Sequence, residues 1–293
     1  MAPEQPSAHL IVNADDFGRS SSINQAVIDS HRRGILTSAS LMVNGPAVTE
    51  AVYLARQHPS LAVGLHLTLI AGKSTLPHKS IPGLVDPDDN FSNSPLASGL
   101  RYWLNRSLPP QLKAEIAAQL ERFRSFDLPL DHLNGHLHFH LHSTVLRIIS
   151  QNAARWDIDR LRLTHDPSAI DRQIGSNGWF YRLSHTAVLK ILSRRASPIL
   201  QNFNIAHTDR VFGLLQNSRV NEQYCLRLIK QLPAGLSELY SHPDSDTHAD
   251  ETTALTSPAV AQGIRERNIR LTTYSEALAP ATGPDTQPPE SYT

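Results

Sequence analysis

Short apolar runs alternate with helix-like segments along most of this chain, and this alternation constrains the fold more than any other feature. The apolar run at residues 9–14 is followed by a helical period that begins after residues 20–24 and ends at Gly34, and residues 36–43 form a second apolar run. Strand and helix patterns that alternate at this interval are typical of βαβ units in a parallel sheet. The sequence therefore predicts an α/β fold.

The alternation continues towards the C-terminus. Further strands are predicted at 62–69, 132–142, 160–164, 235–241 and 269–273, further helices at 47–57, 110–126, 143–156, 183–194, 222–231 and 259–267, and a long loop at 72–99. About six or seven parallel strands, without a glycine-rich phosphate loop after the first, favour a (β/α) barrel, distorted or seven-stranded, over an open nucleotide-binding sheet. We predict a single catalytic barrel domain over residues 8–278, with a disordered lead at 1–7 and a disordered tail at 279–293.

Charge and cysteine content exclude several classes of protein. Lys plus Arg and Asp plus Glu both number 27 in 293 residues, so the formal net charge is zero and gives no indication of nucleic-acid binding. The single cysteine, Cys225, rules out an intramolecular disulfide. The N-terminus lacks a signal-peptide pattern, and no apolar stretch approaches the roughly 18 residues of a membrane span. We expect a soluble cytoplasmic protein whose membrane contact, if any, is peripheral. The oligomeric state is not predicted.

Five histidines lie within eleven residues, in the sequence DHLNGHLHFHLH: His132, His136, His138, His140 and His142. In an extended strand they would share one face with Asn134. Neutral imidazole is the commonest metal ligand in proteins. Strand neighbours at i and i+2 are roughly 6.6 Å apart and those at i and i+4 about 13 Å apart, whereas Zn–N bonds are about 2.0–2.1 Å. The five imidazoles therefore cannot all bind one ion, and other strands must complete a metal site.

Other polar residues follow predicted strands at the same end. Asp15 and Asp16 follow the first strand, His66 lies on the third, and His242 follows the strand at 235–241. In (β/α) barrels the carboxyl ends of the strands form one rim, where catalytic residues collect. Asp16, His66 and one histidine of the histidine-rich segment would give an Asp/His/His site with open positions for water and substrate. Asp15 could then act as a general base, and His242 could protonate a leaving group.

Simpler interpretations and other functions remain open at this point. The two aspartates could only cap a helix, and His66 could be an ordinary core histidine. Another metallohydrolase, such as an amidohydrolase or phosphoesterase, would often place a His-x-His pair on the first strand, where this chain has two aspartates. A non-enzymatic histidine-rich metal-binding protein would hold several ions per chain and would be insensitive to replacement of Asp15.

Five motifs together resemble a known family. LIVNADDFG, TSASLMVNG, VGLHLTL, DHLNGHLHFHLH and SELYSHPD occur in the order found in the YdjC-like carbohydrate deacetylases, which include chitooligosaccharide deacetylases. The likeness extends over about residues 9–278. Within the family, NGHLHFHLH is similar to the hopanoid-biosynthesis-associated branch, which is implicated in deacetylating an N-acetylglucosaminyl hopanoid. The resemblance implies a barrel of the polysaccharide-deacetylase type and a hydrolase that removes an acetyl group from an N-acetylated amino sugar.

The resemblance also implies a cofactor and a set of site residues. The cofactor is one divalent metal ion, Mg²⁺ in this family, with Zn²⁺ as the alternative. The implied roles are metal ligand for Asp16, His66 and His136, general base for Asp15, general acid for His242, and substrate contact for His138, Arg162 and Asn134. One departure concerns Asn134 and Gly135, which replace a commoner Asp-Ser pair, so a carboxylate that would support the metal ligands is absent from that position.

Overall fold

The computed structural model describes residues 8–164, 179–214, 216 and 219–278, and for residues 179–189 it describes the backbone alone. The disordered ends predicted at 1–7 and 279–293 lie outside these residues. Within the described part, no helix has both the length and the apolar character that a membrane crossing requires.

The described chain alternates between strands and helices, as predicted. The strands are β1 (Ala8–Phe17), β2 (Ser38–Leu41), β3 (Ala62–Leu67), β4 (Leu133–Gly135), β5 (Arg210–Phe212), β6 (Gly235–Ser241) and β7 (Arg270–Thr272). The helices are α1 (Ser21–Arg33), α2 (Val48–Gln57), α3 (Pro95–Leu104), α4 (Leu108–Arg124), α5 (Ser143–Asn152), α6 (Trp179–Asn202), α7 (Glu222–Gln231), α8 (Ala249–Leu255), α9 (Pro258–Glu266) and α10 (Tyr274–Ala277). Two 3-10 helices cover His136–Leu141 and Ala154–Trp156.

The strands pair in parallel around a distorted barrel. Their order is β4-β3-β2-β1-β6-β5, and β7 pairs with the first half of β1. Two bridges connect β4 to the segment before β5: the Leu133 amide donates to the Arg160 carbonyl at 3.0 Å, and the Leu161 amide donates to the Ala206 carbonyl at 2.9 Å. The pairings therefore continue round the barrel. The predicted (β/α) barrel is confirmed, although the strand predicted at 160–164 is reduced to these bridges.

The alternation of side chains along β1 separates an apolar outer layer from a polar interior. Leu10, Val12 and Ala14 belong to the buried hydrophobic core that includes the surrounding helices. The alternate residues Asn13 and Asp15 are also buried but hydrogen-bond to each other, since the Asn13 amide donates to the Asp15 carboxylate at 2.9 Å. Successive side chains of a strand point to opposite faces. The interior of this barrel is therefore lined by hydrogen-bonding groups rather than by the branched apolar residues usual in such folds.

The predicted strand at 132–142 is wrong after Gly135. Leu137 and His138 adopt left-handed φ angles of 49° and 58°, and the chain turns into a 3-10 helix. This turn buries Phe139 and Leu141, which a strand would have placed on the face opposite the histidines. The alternating pattern predicted a strand for the whole segment. Apolar residues at every second position are also compatible with a short strand that ends in a sharp turn.

Two helices differ from the prediction as well. Helix α3 occupies the end of the predicted loop at 72–99 and begins where the Ser94 side chain accepts a hydrogen bond from the Ala97 amide. Serine followed by proline is a helix-start signal, and both residues are present in the sequence. Helix α6 also extends well beyond the predicted 183–194 at both ends.

Gly34 offers a test of how α1 packs. It ends α1, and a Cβ there would overlap the backbone carbonyl oxygen of Leu255, which accepts the Ile35 amide at 3.0 Å. We expect Gly34→Ala to lower the free energy of unfolding by about 1–3 kcal/mol, because α1 and α8 must move apart. Gly99→Ala is the control, since a Cβ at Gly99 meets nothing within 4 Å, and alanine should stabilise α3 by about 0.5–1 kcal/mol. Urea denaturation measures both, and equal effects would contradict this packing.

Candidate metal centre

Asp15 and Asp16 line the same cavity, of about 710 Å³, although they are consecutive residues of one strand. A regular strand would send them to opposite faces. The register between β1 and β2 shifts between Ala14 and Phe17, and Asp16 has a left-handed φ of 63°. A bulge of this kind redirects a side chain, and aspartate tolerates the left-handed region better than most residues. Both carboxylates can therefore serve one site.

Three of the predicted residues form a group that could hold a metal ion. The Asp16 Oδ1 lies 3.3 Å from His66 Nε2 and 3.1 Å from His136 Nδ1. One donor atom from each of the three lies within 4.8 Å of the other two, and all three residues are buried. The structure thus brings together Asp16 from β1, His66 from β3 and His136 from the 3-10 helix after β4.

The electrostatics of this group fit a divalent cation. Burial alone would raise the pKa of Asp16, but hydrogen bonds from His136 and His66 lower it well below its usual range. Burial would likewise lower the pKa of His66, yet the Asp15 and Asp16 carboxylates raise it. The site therefore favours positive charge, either as a proton on His66 or as a bound cation. An ionised carboxylate and two imidazoles suit a metal ion that keeps coordination positions open towards the cavity.

Asn134 orients one of these ligands. Its Oδ1 lies 2.7 Å from His66 Nδ1, so the Nδ1–H of the imidazole donates to the amide oxygen and Nε2 faces Asp16. Metal-binding histidines usually donate their other ring N–H to a carboxylate or carbonyl group in this way. The amide oxygen of Asn134 therefore takes the place of the carboxylate that the sequence lacks at this position.

Asp15 is held by a buried ion pair. Arg162 donates to both of its carboxylate oxygens, at 2.7 and 3.0 Å. Asn134 Nδ2 adds a hydrogen bond of 3.0 Å to Asp15 Oδ1. Burial opposes ionisation of Asp15, but the Arg162 guanidinium and the His66 imidazole hold the pKa of its carboxyl well below the usual range. Asp15 is therefore ionised and fixed in orientation beside the metal group.

Arg162 lies in the interior of the barrel and pairs with two carboxylates. The residue is fully buried, and its guanidinium also donates to Glu238 at 2.6 and 2.9 Å. Asn134 is equally buried and bonded to Asp15, His66 and Ser40. Neither Arg162 nor Asn134 lines the cavity, and both orient groups of the site; their predicted substrate contacts stay predictions. The sequence motifs placed them near the site correctly but could not show which way they point.

His138 and His242 lie on the cavity wall. Burial and the neighbouring His140 lower the pKa of His138 well below its usual range, so its ring is neutral. Its predicted contact with a substrate stays a prediction. His242 directly follows β6, and its Nε2 lies 3.1 Å from the hydroxyl of Tyr240. Tyr240 also lines the cavity, with a pKa raised well above the usual range by burial and by the Asp15 carboxylate.

The sequence analysis missed Tyr240 and Glu238. Both precede His242 at alternate positions of β6, so the period of two in SELYSHPD was the signal that could have found them. The phenol of Tyr240 packs edge-on against His242, with ring centroids 4.6 Å apart, and its face lies 5.0 Å from the Arg162 guanidinium carbon. Tyr240 therefore connects the proposed acid with the Asp15–Arg162 pair.

The remaining histidines have structural contacts. His132 lies between Asp131 and Ser40, each at 2.9 Å, and stacks on Tyr274. His140 Nε2–H donates to the Arg162 carbonyl at 3.0 Å, and burial lowers the pKa of its ring to about 3. Within the described residues, His136 is therefore the one member of the histidine-rich segment that joins the metal group.

The ion pair of Arg162 makes a stability prediction. Arg162→Met would leave the Asp15 and Glu238 carboxylates buried without their cation, and we expect the free energy of unfolding to fall by about 3–5 kcal/mol. The matched control is Arg33→Met, whose partner Asp29 lies 3.7 Å away at the surface, and which should cost about 0–1 kcal/mol. Urea denaturation compares the two, and a similar small cost for both would refute the role given to Arg162.

The chain is similar to known proteins over most of its length. The profile of a family described as YdjC-like protein matches residues 9–266. A carbohydrate deacetylase of Geobacillus stearothermophilus is 29% identical over 268 residues, which cover 92% of this chain and 97% of that protein. A chitooligosaccharide deacetylase of Proteus mirabilis is 29% identical over 284 residues, which cover 92% of this chain and 100% of that protein. A carbohydrate deacetylase of Brevibacillus brevis is 38% identical over 149 residues, but these span 51% of this chain and 57% of that protein.

The fold also has a solved relative. A crystal structure from Enterococcus faecalis, of a protein described in connection with cellobiose-phosphate cleavage, superposes with a TM-score of 0.70 at 24% sequence identity and covers 92% of this chain and 98% of that one. At this identity the likeness supports the fold alone. The family profile spans most of the chain, including every predicted site residue, and the protein therefore belongs to the YdjC-like protein family.

Proposed function

We propose that the protein is a metal-dependent hydrolase that removes the acetyl group from an N-acetylated amino sugar. The observation that carries this proposal is the convergence of the Asp16–His66–His136 group, the ionised Asp15 and His242 on one cavity. The relatives named as carbohydrate and chitooligosaccharide deacetylases support the reaction class.

Asp16, His66 and His136 would hold the cation. A divalent ion bound there would polarise an acetamide carbonyl and lower the pKa of a water molecule. The family resemblance favours Mg²⁺, whereas two imidazoles in a set of three ligands are also usual for Zn²⁺.

Asp15 is the proposed general base. Its carboxylate is ionised and fixed by Arg162 and Asn134, so it can accept a proton from the attacking water without reorienting. The same ion pair makes Asp15 a weak base, because it lowers the pKa of the carboxyl. The water must therefore be acidified by its surroundings before Asp15 can take its proton.

His242 is the proposed general acid. It would donate a proton to the amine nitrogen as the C–N bond breaks and acetate leaves. The Tyr240 hydroxyl, 3.1 Å from His242 Nε2, fixes the tilt of the imidazole in the cavity. The backbone amide of His242 donates to the buried Glu251 carboxylate at 2.5 Å, which anchors the start of the loop after β6.

For the substrate, we propose the N-acetylglucosaminyl headgroup of a hopanoid glycolipid, because NGHLHFHLH is similar to that branch of the family. A free chitooligosaccharide is the alternative, favoured by the Proteus mirabilis relative, whose aligned region spans its whole length.

The reaction is tested by acetate release with added Mg²⁺ or Zn²⁺. We expect Asp16→Ala and His66→Ala to abolish release, because each removes one of three ligands. Asp29→Asn is the control, since Asp29 is a surface carboxylate on α1, away from the ligand group. The substrate panel compares an N-acetylglucosaminyl lipid with soluble chitooligosaccharides, and we expect the lipid to have the higher kcat/KM. Activity that survives in Asp16→Ala would refute the assignment, and a preference for oligosaccharides would reverse the choice of substrate.

Metal content separates this proposal from a histidine-rich metal-binding protein. We expect about one ion per chain, because one group of ligands with suitable spacing occurs among the described residues. Asp15→Asn should keep that ion and lose activity by about 100-fold to 10,000-fold. Elemental analysis with acetate release measures both quantities. Several ions per chain without acetate release would favour the non-enzymatic alternative, whereas an Asp15→Asn variant with wild-type activity would refute the role of Asp15 as general base.

A further inference from the structure

Helix α3 presents an apolar face to solvent. Leu96, Leu100, Trp103 and Leu104 are 75%, 47%, 66% and 65% exposed. At about 100° of rotation per residue, these four side chains fall within an arc of about 100° on one side of the helix. We call them the α3 apolar stripe. An exposed apolar cluster of this kind usually marks a surface that binds another molecule.

The opposite face of α3 is fixed to the protein. Tyr102 is buried, and its hydroxyl donates to the Leu69 carbonyl at 2.8 Å. The Thr144 hydroxyl donates to the Tyr102 carbonyl at 3.0 Å, and His142 Nε2–H donates to the Gly99 carbonyl at 3.1 Å. These contacts hold the helix in one orientation, so the α3 apolar stripe cannot turn into the core.

The α3 apolar stripe adjoins the mouth of the cavity. Pro95, the first residue of α3, lines the cavity together with Asp16 and His136. Leu137 lines it too, although its side chain is 51% exposed. The first residue of the helix therefore lies at the rim of the site, where Leu137 adds another exposed apolar side chain.

The segment that carries the stripe is basic, although Asp86 of the preceding loop lines a pocket together with Arg101. Residues 92–114 contain Arg101, Arg106 and Lys113 and no acidic residue, and all three cations are exposed. The chain as a whole has no net charge, so this local excess is not a general property of its surface. Exposed apolar side chains with a tryptophan, flanked by Lys and Arg, are the pattern of a helix that lies in the interface of an anionic membrane.

We infer that the α3 apolar stripe docks the protein on a lipid surface with anionic headgroups, with Trp103 and its leucine neighbours in the acyl boundary and the flanking cations at the headgroups. The inference goes beyond the proposed reaction, because it rests on residues 92–114 and holds for any chemistry in the cavity. Docking in this way would bring the cavity mouth to the membrane surface.

A second copy of the chain fits the stripe less well. A stable protein interface needs about 20–30 residues on each side, whereas the stripe has four large apolar residues. Two copies that met through this face would also bring their Arg and Lys residues together, and like charges disfavour such a contact. An anionic lipid surface can accommodate the apolar side chains in its acyl boundary and pair its headgroups with the basic side chains.

The test is co-sedimentation of the full-length protein with vesicles of phosphatidylcholine, alone or mixed with phosphatidylglycerol. We expect binding to the mixed vesicles that weakens as salt is added, because the cations contribute to it. Trp103→Glu and, separately, Leu104→Glu should weaken binding by about tenfold or more, because each puts a carboxylate into the acyl boundary. Tyr53→Glu is the matched control, since Tyr53 on α2 is an equally exposed aromatic residue, at 64%, and it should bind as the wild type does.

Three results would overturn the inference: no binding to mixed vesicles, equal loss in Tyr53→Glu, or wild-type self-association that Trp103→Glu abolishes. The last result would identify a second copy as the occupant. Thermal unfolding confirms that each variant is folded. Acetate release from a soluble chitooligosaccharide is measured in parallel and should not change in Trp103→Glu. Vesicle binding without any acetate release would refute the proposed reaction but not the docking surface. Acetate release without vesicle binding would refute the docking surface but not the proposed reaction.

Discussion

The ion pair between Arg162 and Asp15 crosses the interior of the barrel, and the arrangement of the site depends on it. Arg162 follows the bridge beside β4, Asp15 lies on β1, and Glu238 on β6 completes the charge pairing. A buried guanidinium is tolerated only when carboxylates neutralise it and hydrogen bonds satisfy it. Once Asp15 is fixed in this way, the bulge that follows determines where Asp16 can lie, and the ligand group takes its position from Asp16.

The polar interior has a steric requirement as well as an electrostatic one. Ser40 accepts hydrogen bonds from the amides of Asn13 and Asn134 and lies beside the His132 imidazole. That imidazole occupies the space next to Gly64, where a Cβ would approach ring atoms to 2.5 Å. Glycine at this position is thus required by the close approach of a side chain. A network of this kind tolerates substitution poorly, since each member serves two partners.

The sequence predicted the barrel and the metal group but not the orientation of the residues around them. Asp16, His66 and one histidine of the histidine-rich segment could be predicted as a group because ligand-type residues end several strands, and strand ends meet at one rim. The choice of His136 came from the family resemblance. The roles of Arg162 and Asn134 could not be predicted, because a motif gives proximity and not direction. The prediction of a strand through the histidine-rich segment was wrong after Gly135, because a period of two does not reveal the left-handed residues Leu137 and His138. Helix α3 was not predicted, because its apolar side chains face water and do not follow the pattern of a helix that packs its apolar side on the core.

The proposed base and the proposed metal ligand are consecutive residues, and the bulge lets both carboxylates line the same cavity. Their Cα atoms are about 3.8 Å apart by backbone geometry alone, so their separation does not depend on how separate segments dock. Slow, small-amplitude motions of the barrel would therefore displace Asp15 and Asp16 together. The distance between their backbone positions would then change little when His66, His136 and His242 move, because these three residues lie on other segments of the chain.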